Sequence, residues 1–150
     1  MGGLTWRAGI KDKRKLYKEA PLATTLKNLP FTVLVLQRLP EADEIEAFTR
    51  ALGRAAHNLS ALNDDLEDIL ALLALLDDYV GVSNTNMHLM AGLGKTARVL
   101  VPHPPEWRWM AEGEESPWFK GFAVYRQQPD KDWGGAFGGL AEDLRRSLPP

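Results

Sequence analysis

Six short apolar runs, separated by stretches too long for hairpins, constrain the fold of this chain more than any other feature. The runs are Leu4–Ala8, Phe31–Gln37, Ala56–Leu59, Tyr79–Val82, Ala97–Pro102 and Phe122–Arg126. Helical patterns cover Leu22–Leu29, Glu41–Leu52, Leu66–Leu76, a short stretch after Asn86, and Ala136–Leu148. Such connections cross over between parallel strands. The pattern predicts one α/β domain with a doubly wound, mainly parallel six-stranded sheet and helices on both faces.

Composition excludes several classes of function. The 150 residues carry a net charge of −2, which gives no indication of nucleic acid binding. There is no cysteine, so disulfides and thiolate metal sites are excluded. No apolar run is long enough to span a membrane and no signal-peptide pattern opens the chain, so we expect a cytoplasmic protein. Because Met1-Gly2-Gly3 leads straight into a strand-like segment, we also expect the chain to be one half of a longer protein.

The strongest helix-start signal is Ser83-Asn84-Thr85-Asn86, which follows the apolar run Tyr79–Val82. All four side chains can accept a hydrogen bond from backbone N–H groups at the start of a helix. A strand followed by a polar turn and a helix places free N–H groups and the positive end of the helix dipole at the tip of the strand. An anion can bind there. His88, in the first turn, is the histidine best placed to contact it.

In doubly wound sheets, ligands bind beyond the carboxyl ends of the strands, where the strand order reverses. The segments that follow the predicted strands are Arg7–Lys18, Gln37–Pro40, Ser60–Asp65, Ser83–His88 and Pro102–Trp109. The first is rich in lysine and is either a solvated surface or a phosphate contact that faces the Ser83–His88 turn. His103, in the last, is as well placed to line the cleft as to lie outside it.

Other side chains have a structural as well as a functional interpretation. Asn63 or Asp64 is expected to cap the following helix, since Asp64 and Glu67 have the spacing of a capping box. His57 is interpreted as structural or exposed. The four tryptophans of the C-terminal third either pack loops onto the domain or form an aromatic wall for a base or sugar. They are Trp107, Trp109, Trp118 and Trp133.

Three apparent motifs are set aside. Gly94-Lys95-Thr96 resembles the end of a P-loop, but residue 89 is Leu where the motif needs glycine, and a strand is predicted after the lysine. The glycine-rich run Gly134–Gly139 is out of register for a dinucleotide fingerprint and is interpreted as a flexible lead into the last helix. Asp130 and Asp132, with a lysine between them, are interpreted as surface charge rather than metal ligands.

Four stretches together resemble the C-terminal half of heptosyltransferase-like glycosyltransferases (glycosyltransferase family nine). They are Val80–Lys95, Val99–Trp109, Ser116–Phe119 and Val124–Gln127. The likeness is strongest to bacterial proteins in which tetratricopeptide repeats precede such a domain. It covers nearly the whole chain and is most specific over Asp77–Gln127. It implies the GT-B fold, in which two Rossmann-like halves face each other and the C-terminal half binds the nucleotide-diphosphate-sugar donor.

The family's turn is commonly Asp-Thr/Ser-x-x-x-His. In register with it, Ser83 stands in place of the aspartate, Asn84 in place of the Thr or Ser, and His88 matches the histidine. The residues that the resemblance places at the donor diphosphate and ribose are Ser83, Asn84, Thr85, Asn86, His88, Arg7, Lys15 and Lys18. Those on the nucleobase or sugar side are Gln37, Asn63, Asp64, Asp65 and His103.

The resemblance implies no catalytic residue in this half, because the N-terminal half of the family binds the acceptor and supplies the base. It implies no metal ion or other cofactor. The partners it implies are the nucleotide sugar and, in a full-length protein, an acceptor domain or tetratricopeptide repeats. We therefore expect a donor-binding half of an inverting, metal-independent glycosyltransferase. The alternatives are a non-catalytic module that binds a nucleotide or a protein, and an unrelated nucleotide-dependent oxidoreductase, which lacks support from a glycine fingerprint after the first strand.

Overall fold

A computed structural model of the protein describes residues 2–4, 19–41 and 43–148. Their strands are β1 (Gly2–Leu4), β2 (Val33–Val35), β3 (Ala56–Asn58), β4 (Asp78–Val82), β5 (Arg98–Val101) and β6 (Ala123–Arg126). The α-helices are α1 (Glu19–Leu26), α2 (Glu44–Leu52), α3 (Leu66–Leu75), α4 (Thr85–Gly92) and α5 (Gly134–Arg146). Within the same residues, two 3-10 helices cover Ser60–Asp64 and Trp107–Trp109.

All six strands are parallel and lie in the order β3-β2-β1-β4-β5-β6. The chain builds outward from β1 in one direction, returns to its other side at β4, and builds outward again. This arrangement is the doubly wound fold, with the strand order reversing between β1 and β4. The predicted fold class is confirmed, and with it the six-stranded parallel sheet with helices on both faces.

Two hydrophobic clusters hold the helices to the sheet. On one face α1, α2 and α5 pack through Leu22, Phe48, Leu140 and Leu144 against the valines of β2 and β4. On the other face α3, α4 and the long connection between β5 and β6 pack around Leu73, Tyr79, Met87, Trp109 and Phe119. The helices of the described segments include none with the length and apolar character that crossing a membrane requires.

Four local predictions are corrected by the structure. The first strand begins at Gly2, two residues earlier than predicted, and the remainder of the predicted segment lies outside the described residues. The cap of α3 is Asp65, not Asn63 or Asp64: its carboxylate accepts from the N–H groups of Glu67 and Asp68, at 2.8 and 3.0 Å. Asn63 and Asp64 are part of the 3-10 helix, so Asp65, the next residue and an extended one, becomes the cap.

The glycine-rich run Gly134–Gly139 is also helical, not a flexible lead, because α5 begins at Gly134. Glycine opposes a helix by about 1 kcal/mol per residue. Burial outweighs it here: Ala136, Phe137 and Leu140 are buried against the sheet. The first predicted helix likewise lies three residues earlier than expected, over Glu19–Leu26.

The two glycines of β1 differ in the space around them, and this difference gives a stability prediction. A Cβ at Gly3 would lie 2.4 Å from Leu76 Cδ1 and 3.0 Å from Leu36 Cδ1, both in fully buried side chains, whereas a Cβ at Gly2 would meet nothing within 4 Å. We expect Gly3→Ala to lower the free energy of unfolding by about 1–3 kcal/mol. Gly2→Ala, the matched control, should leave it unchanged or raise it slightly. Urea denaturation of both variants measures the difference, and equal midpoints would contradict the prediction.

Candidate functional site

The candidate site lies at the carboxyl ends of β1 and β4, where the strand order reverses. The segment after β1 contains Arg7, Lys15 and Lys18, which lie outside the described residues. The segment after β4 is Ser83-Asn84, followed directly by α4. The described wall of the crevice is therefore the β4–α4 turn and the segments that pack beside it.

Asn84 caps α4. Its backbone is extended, with φ −153° and ψ 179°, and its Oδ1 accepts from the N–H of Met87 at 3.3 Å. The hydroxyl of the fully buried Tyr79 lies 3.2 Å from Asn84 Nδ2 and fixes the cap from below. By helix geometry, the N–H groups of Thr85 and Asn86 have no acceptor within the helix. They are available to an anion at this end of α4.

Asn86 and Asn63 join the turn to the segments that follow β2 and β3. The buried Asn86 donates from Nδ2 to Asn63 Oδ1 at 3.3 Å. Asn63 Nδ2 donates in turn to the carbonyls of Leu36 and Ser60, at 3.0 and 2.8 Å. The predicted donor-side residue Asn86 and base-side residue Asn63 are thus brought into contact. Their amides fix the backbone of this edge of the sheet.

The other residues predicted on the base or sugar side occupy the same edge in different roles. Gln37 is fully buried two residues after the end of β2 and donates from Nε2 to the carbonyl of Arg38 at 3.1 Å. Asp64 is exposed at the end of its 3-10 helix, and Asp65 caps α3. Both aspartates are exposed, and Asp65 has a structural use as the cap of α3.

His88 is exposed on α4, and its ring packs edge-on against Phe119, with centroids 5.1 Å apart and an interplanar angle of 73°. Phe119 is itself stacked on the buried Trp109 at 4.5 Å. The imidazole is therefore positioned by the connection between β5 and β6, although it belongs to the β4–α4 turn. Its position combines solvent access with a fixed aromatic support.

Glu106 is a site residue that the sequence interpretation missed. The hydroxyl of Ser83, a residue only 7% exposed, donates to Glu106 Oε2 at 3.0 Å. Arg108 Nη1 lies 3.4 Å from the same oxygen, and its guanidinium sits over the ring of Trp107, 4.7 Å from the centroid. The carboxylate of Glu106 thus contacts the β4–α4 turn at Ser83. Because β4 and β5 are neighbours, the parallel sheet predicts that Pro102–Trp109 reaches this edge; the individual side chain is not predictable.

His103 lies farther along the same edge. It lines a cavity of about 290 Å³ with Pro105, Arg126 and Gln127, at the ends of β5 and β6. Its N–H donates to Gln127 Oε1 at 3.0 Å, and the Lys131 ammonium donates to its carbonyl. Within the described residues, His103 therefore borders the crevice beside β5 instead of lying at the β1–β4 reversal.

The four tryptophans divide into two groups. Trp109 is buried in the aromatic cluster and Trp133 packs on Phe137, as the packing interpretation expects. Trp107 and Trp118 are 61% and 55% exposed and contact each other edge-on at 4.8 Å. They form an exposed aromatic pair next to Glu106.

The rejected motifs have structural uses. The Lys95 ammonium donates to the carbonyls of Ala74 and Leu76, at 2.8 and 2.5 Å, and so caps the C-terminus of α3. Asp130 and Asp132 accept from backbone N–H groups in their own turn. In the described part of the chain, no three His, Asp or Glu side chains are grouped closely enough to hold a metal ion.

Comparison with known proteins gives a structural match. No protein-family model matches the sequence, and no curated protein matches it at a significant level. The fold is similar to that of E. coli heptosyltransferase WaaC with ADP-2-deoxy-2-fluoro heptose, with a TM-score of 0.59 and 15% sequence identity. The match covers 97% of this chain and 43% of that chain, so the chain spans less than half the length of that glycosyltransferase. At this identity the likeness establishes a shared Rossmann-like fold.

Proposed function

We propose that the chain binds the nucleotide-diphosphate-sugar donor of an inverting, metal-independent glycosyltransferase, as the C-terminal half of a GT-B protein. The observation that carries this proposal is the Asn84-capped N-terminus of α4, which opens at the carboxyl end of β4 where the strand order reverses. Support comes from the fold, which is shared with a heptosyltransferase whose solved structure contains an ADP-heptose analogue. The resemblance of Val80–Gln127 to family-nine glycosyltransferases supports the same substrate class.

The chemistry of sugar transfer explains why such a turn suits a donor. As the sugar departs, negative charge builds on the nucleoside diphosphate. The N–H groups of Thr85 and Asn86 and the positive end of the α4 dipole can stabilise that charge without a metal ion. The hydrogen bonds of Asn84 and Asn86 hold these groups in place before the ligand arrives, so little reorganisation is needed.

His88 is proposed as the side chain that contacts the diphosphate. It is exposed on the first two turns of α4, and Phe119 restricts its ring. An imidazole N–H at this position can donate a hydrogen bond to an oxygen of a diphosphate bound at the start of α4.

A second candidate is a non-catalytic module that binds a nucleotide or a protein. Ser83 favours it, because this position carries no charge where the resembling family has an aspartate. The acceptor half and the catalytic base of the family do not correspond to any residues of this chain, so the chain by itself is expected to be inactive in transfer. An assay of a longer polypeptide that includes an acceptor half discriminates the two candidates: donor hydrolysis or transfer favours the enzyme.

Calorimetric titration tests donor binding. We expect one of uridine, guanosine or adenosine diphosphate, or a sugar derivative of it, to bind residues 1–150. Replacing His88 with alanine should weaken that binding by about tenfold, the effect of losing a charge-assisted hydrogen bond.

His57→Ala is the matched control, because His57 is also an exposed histidine but lies on the edge strand β3. It should leave the affinity unchanged. Absence of binding by all the nucleotides at millimolar concentration would exclude the donor site. Equal affinities of the two histidine variants would remove His88 from it.

A further inference from the structure

The contact between Ser83 and Glu106 gives the crevice a fixed negative charge. Ser83 follows β4 and Glu106 follows β5, and the two strands are neighbours in the parallel sheet. The Ser83 hydroxyl donates to Glu106 Oε2 at 3.0 Å, and Arg108 approaches the same oxygen at 3.4 Å. A hydroxyl donating to a carboxylate makes a charge-assisted bond, which is roughly twice as strong as a neutral one. The carboxylate is therefore held from both sides.

The burial of the pair separates it from an ordinary surface ion pair. Ser83 is 7% exposed and the Glu106 side chain is 24% exposed, so the Glu106 side chain is largely withdrawn from solvent but not closed off from it. The backbone that carries it is anchored as well, because the next turn buries Trp109 completely. Arg126 donates to the carbonyl of Trp109 at 2.6 Å.

The chemistry of a fixed carboxylate selects its ligand. An ionised carboxylate only accepts hydrogen bonds, and it can accept several at once. It repels phosphate, so it does not serve the diphosphate that the N-terminus of α4 suits. Neutral hydroxyl groups, which a ribose or a hexose carries in adjacent pairs, are the donors that fit it.

We propose that Glu106 binds sugar hydroxyl groups of the donor, beside the diphosphate position at the start of α4. This inference rests on the proposed function, because it assigns one residue to one part of the same ligand. Ser83 positions the carboxylate by its hydrogen bond, and Arg108 contacts the same oxygen. The hydroxyl groups belong either to the ribose or to the transferred sugar.

The test uses residues 1–150 and the isosteric variant Glu106→Gln, which keeps an oxygen for Ser83 and removes the charge. Three probes with the base that the wild type prefers are titrated: the nucleotide sugar, the nucleoside diphosphate, and the 2′,3′-dideoxynucleoside diphosphate, which has no ribose hydroxyl. A ribose contact predicts that the variant loses about tenfold for the first two probes and nothing for the third. A contact with the transferred sugar predicts a loss for the nucleotide sugar alone.

Glu114→Gln is the control, because Glu114 is an exposed glutamate in the same connection between β5 and β6. It should bind all three probes like the wild type, and thermal unfolding of both variants checks that the fold is kept. Unchanged affinity of Glu106→Gln for every probe overturns the inference and leaves the donor site standing. An equal loss for all three probes also overturns it, since the residue would then act on the phosphates or the fold. A wild type that binds none of the probes refutes the proposed function itself.

Discussion

Replacing Trp109 with alanine is expected to lower the free energy of unfolding by about 3–5 kcal/mol, the range for truncating a large buried aromatic side chain. Trp109 is 1% exposed, stacks on Phe119 at 4.5 Å and contacts Phe122 at 6.2 Å between ring centroids. It joins the connection between β5 and β6 to the face of the sheet that α3 and α4 cover. Removing it leaves a cavity beneath both Phe119 and the turn that carries Glu106.

Trp107→Ala is the matched control for this prediction. Trp107 is two residues away in the same 3-10 helix but is 61% exposed, and its contacts are with Trp118 and Arg108 at the surface. Its loss should cost no more than about 1 kcal/mol. Urea denaturation followed by circular dichroism compares the two variants. Equal losses would show that the aromatic cluster does not stabilise this connection.

Trp109→Phe refines the same prediction. The Trp109 indole Nε1–H is buried and has no hydrogen-bond partner among the described residues, an arrangement that costs about 1–3 kcal/mol. Phenylalanine keeps much of the stacking on Phe119 and removes this unsatisfied donor. The phenylalanine variant should therefore lose less than half as much stability as the alanine variant. A loss as large as that of alanine would mean that the indole N–H is satisfied in solution.

The architecture was predictable from the sequence because it depends on long patterns. Apolar runs such as Phe31–Gln37 and Tyr79–Val82 can bury their side chains on both sides only inside a sheet that helices cover on both faces. Residues 33–37 and 79–82 are buried. Gly2 and Gly3 carry no such signal. They nevertheless form β1, which is a central strand of the sheet. The space beside Gly3 is filled by Leu76, so this placement depends on a contact between distant parts of the chain.

The candidate site also has a part that the sequence predicts and a part that depends on contacts between distant residues. The turn from Ser83 to Asn86 could be found from sequence, because a capping signal is local and Asn84 fulfils it within three residues. Glu106 could not, because its contact with Ser83 joins residues 23 positions apart and depends on β4 and β5 being neighbours. Asp65 illustrates a middle case: several polar residues offered a cap, and the preceding 3-10 helix determined which of them was used.

Arg98→Met is expected to lower the free energy of unfolding by about 2–4 kcal/mol, close to the effect of breaking a buried ion pair. Arg98 donates to Asp78 at 2.7 Å, to the Tyr125 hydroxyl at 3.1 Å and to Ser147 at 3.1 Å. Tyr125 in turn donates to Asp143 at 2.8 Å. These bonds connect β4, β5 and β6 to α5, on the face of the sheet opposite α4.

The surroundings of Tyr125 and Arg98 determine the protonation states of both side chains. Burial and the hydrogen bond to Asp143 raise the pKa of Tyr125 to about 12. Burial acts to lower the pKa of Arg98, but the hydrogen bond and the attraction of Asp78 outweigh it and raise the pKa. Arg98 is therefore charged and Tyr125 neutral throughout the physiological range, and the network does not change with pH there.

Arg50→Met is the control, because Arg50 pairs with Glu46 on the surface of α2, where both side chains are 73% exposed. Such a pair contributes at most about 0.5 kcal/mol.

The double variant Arg98→Met/Asp78→Asn then separates charge from packing. The Arg98 and Asp78 side chains are only 16% and 19% exposed, so the single variant leaves a largely buried carboxylate without its cation. Neutralising it should recover about 1 kcal/mol or more. If the double variant is less stable than Arg98→Met, the loss comes from packing and the electrostatic account of the network is wrong.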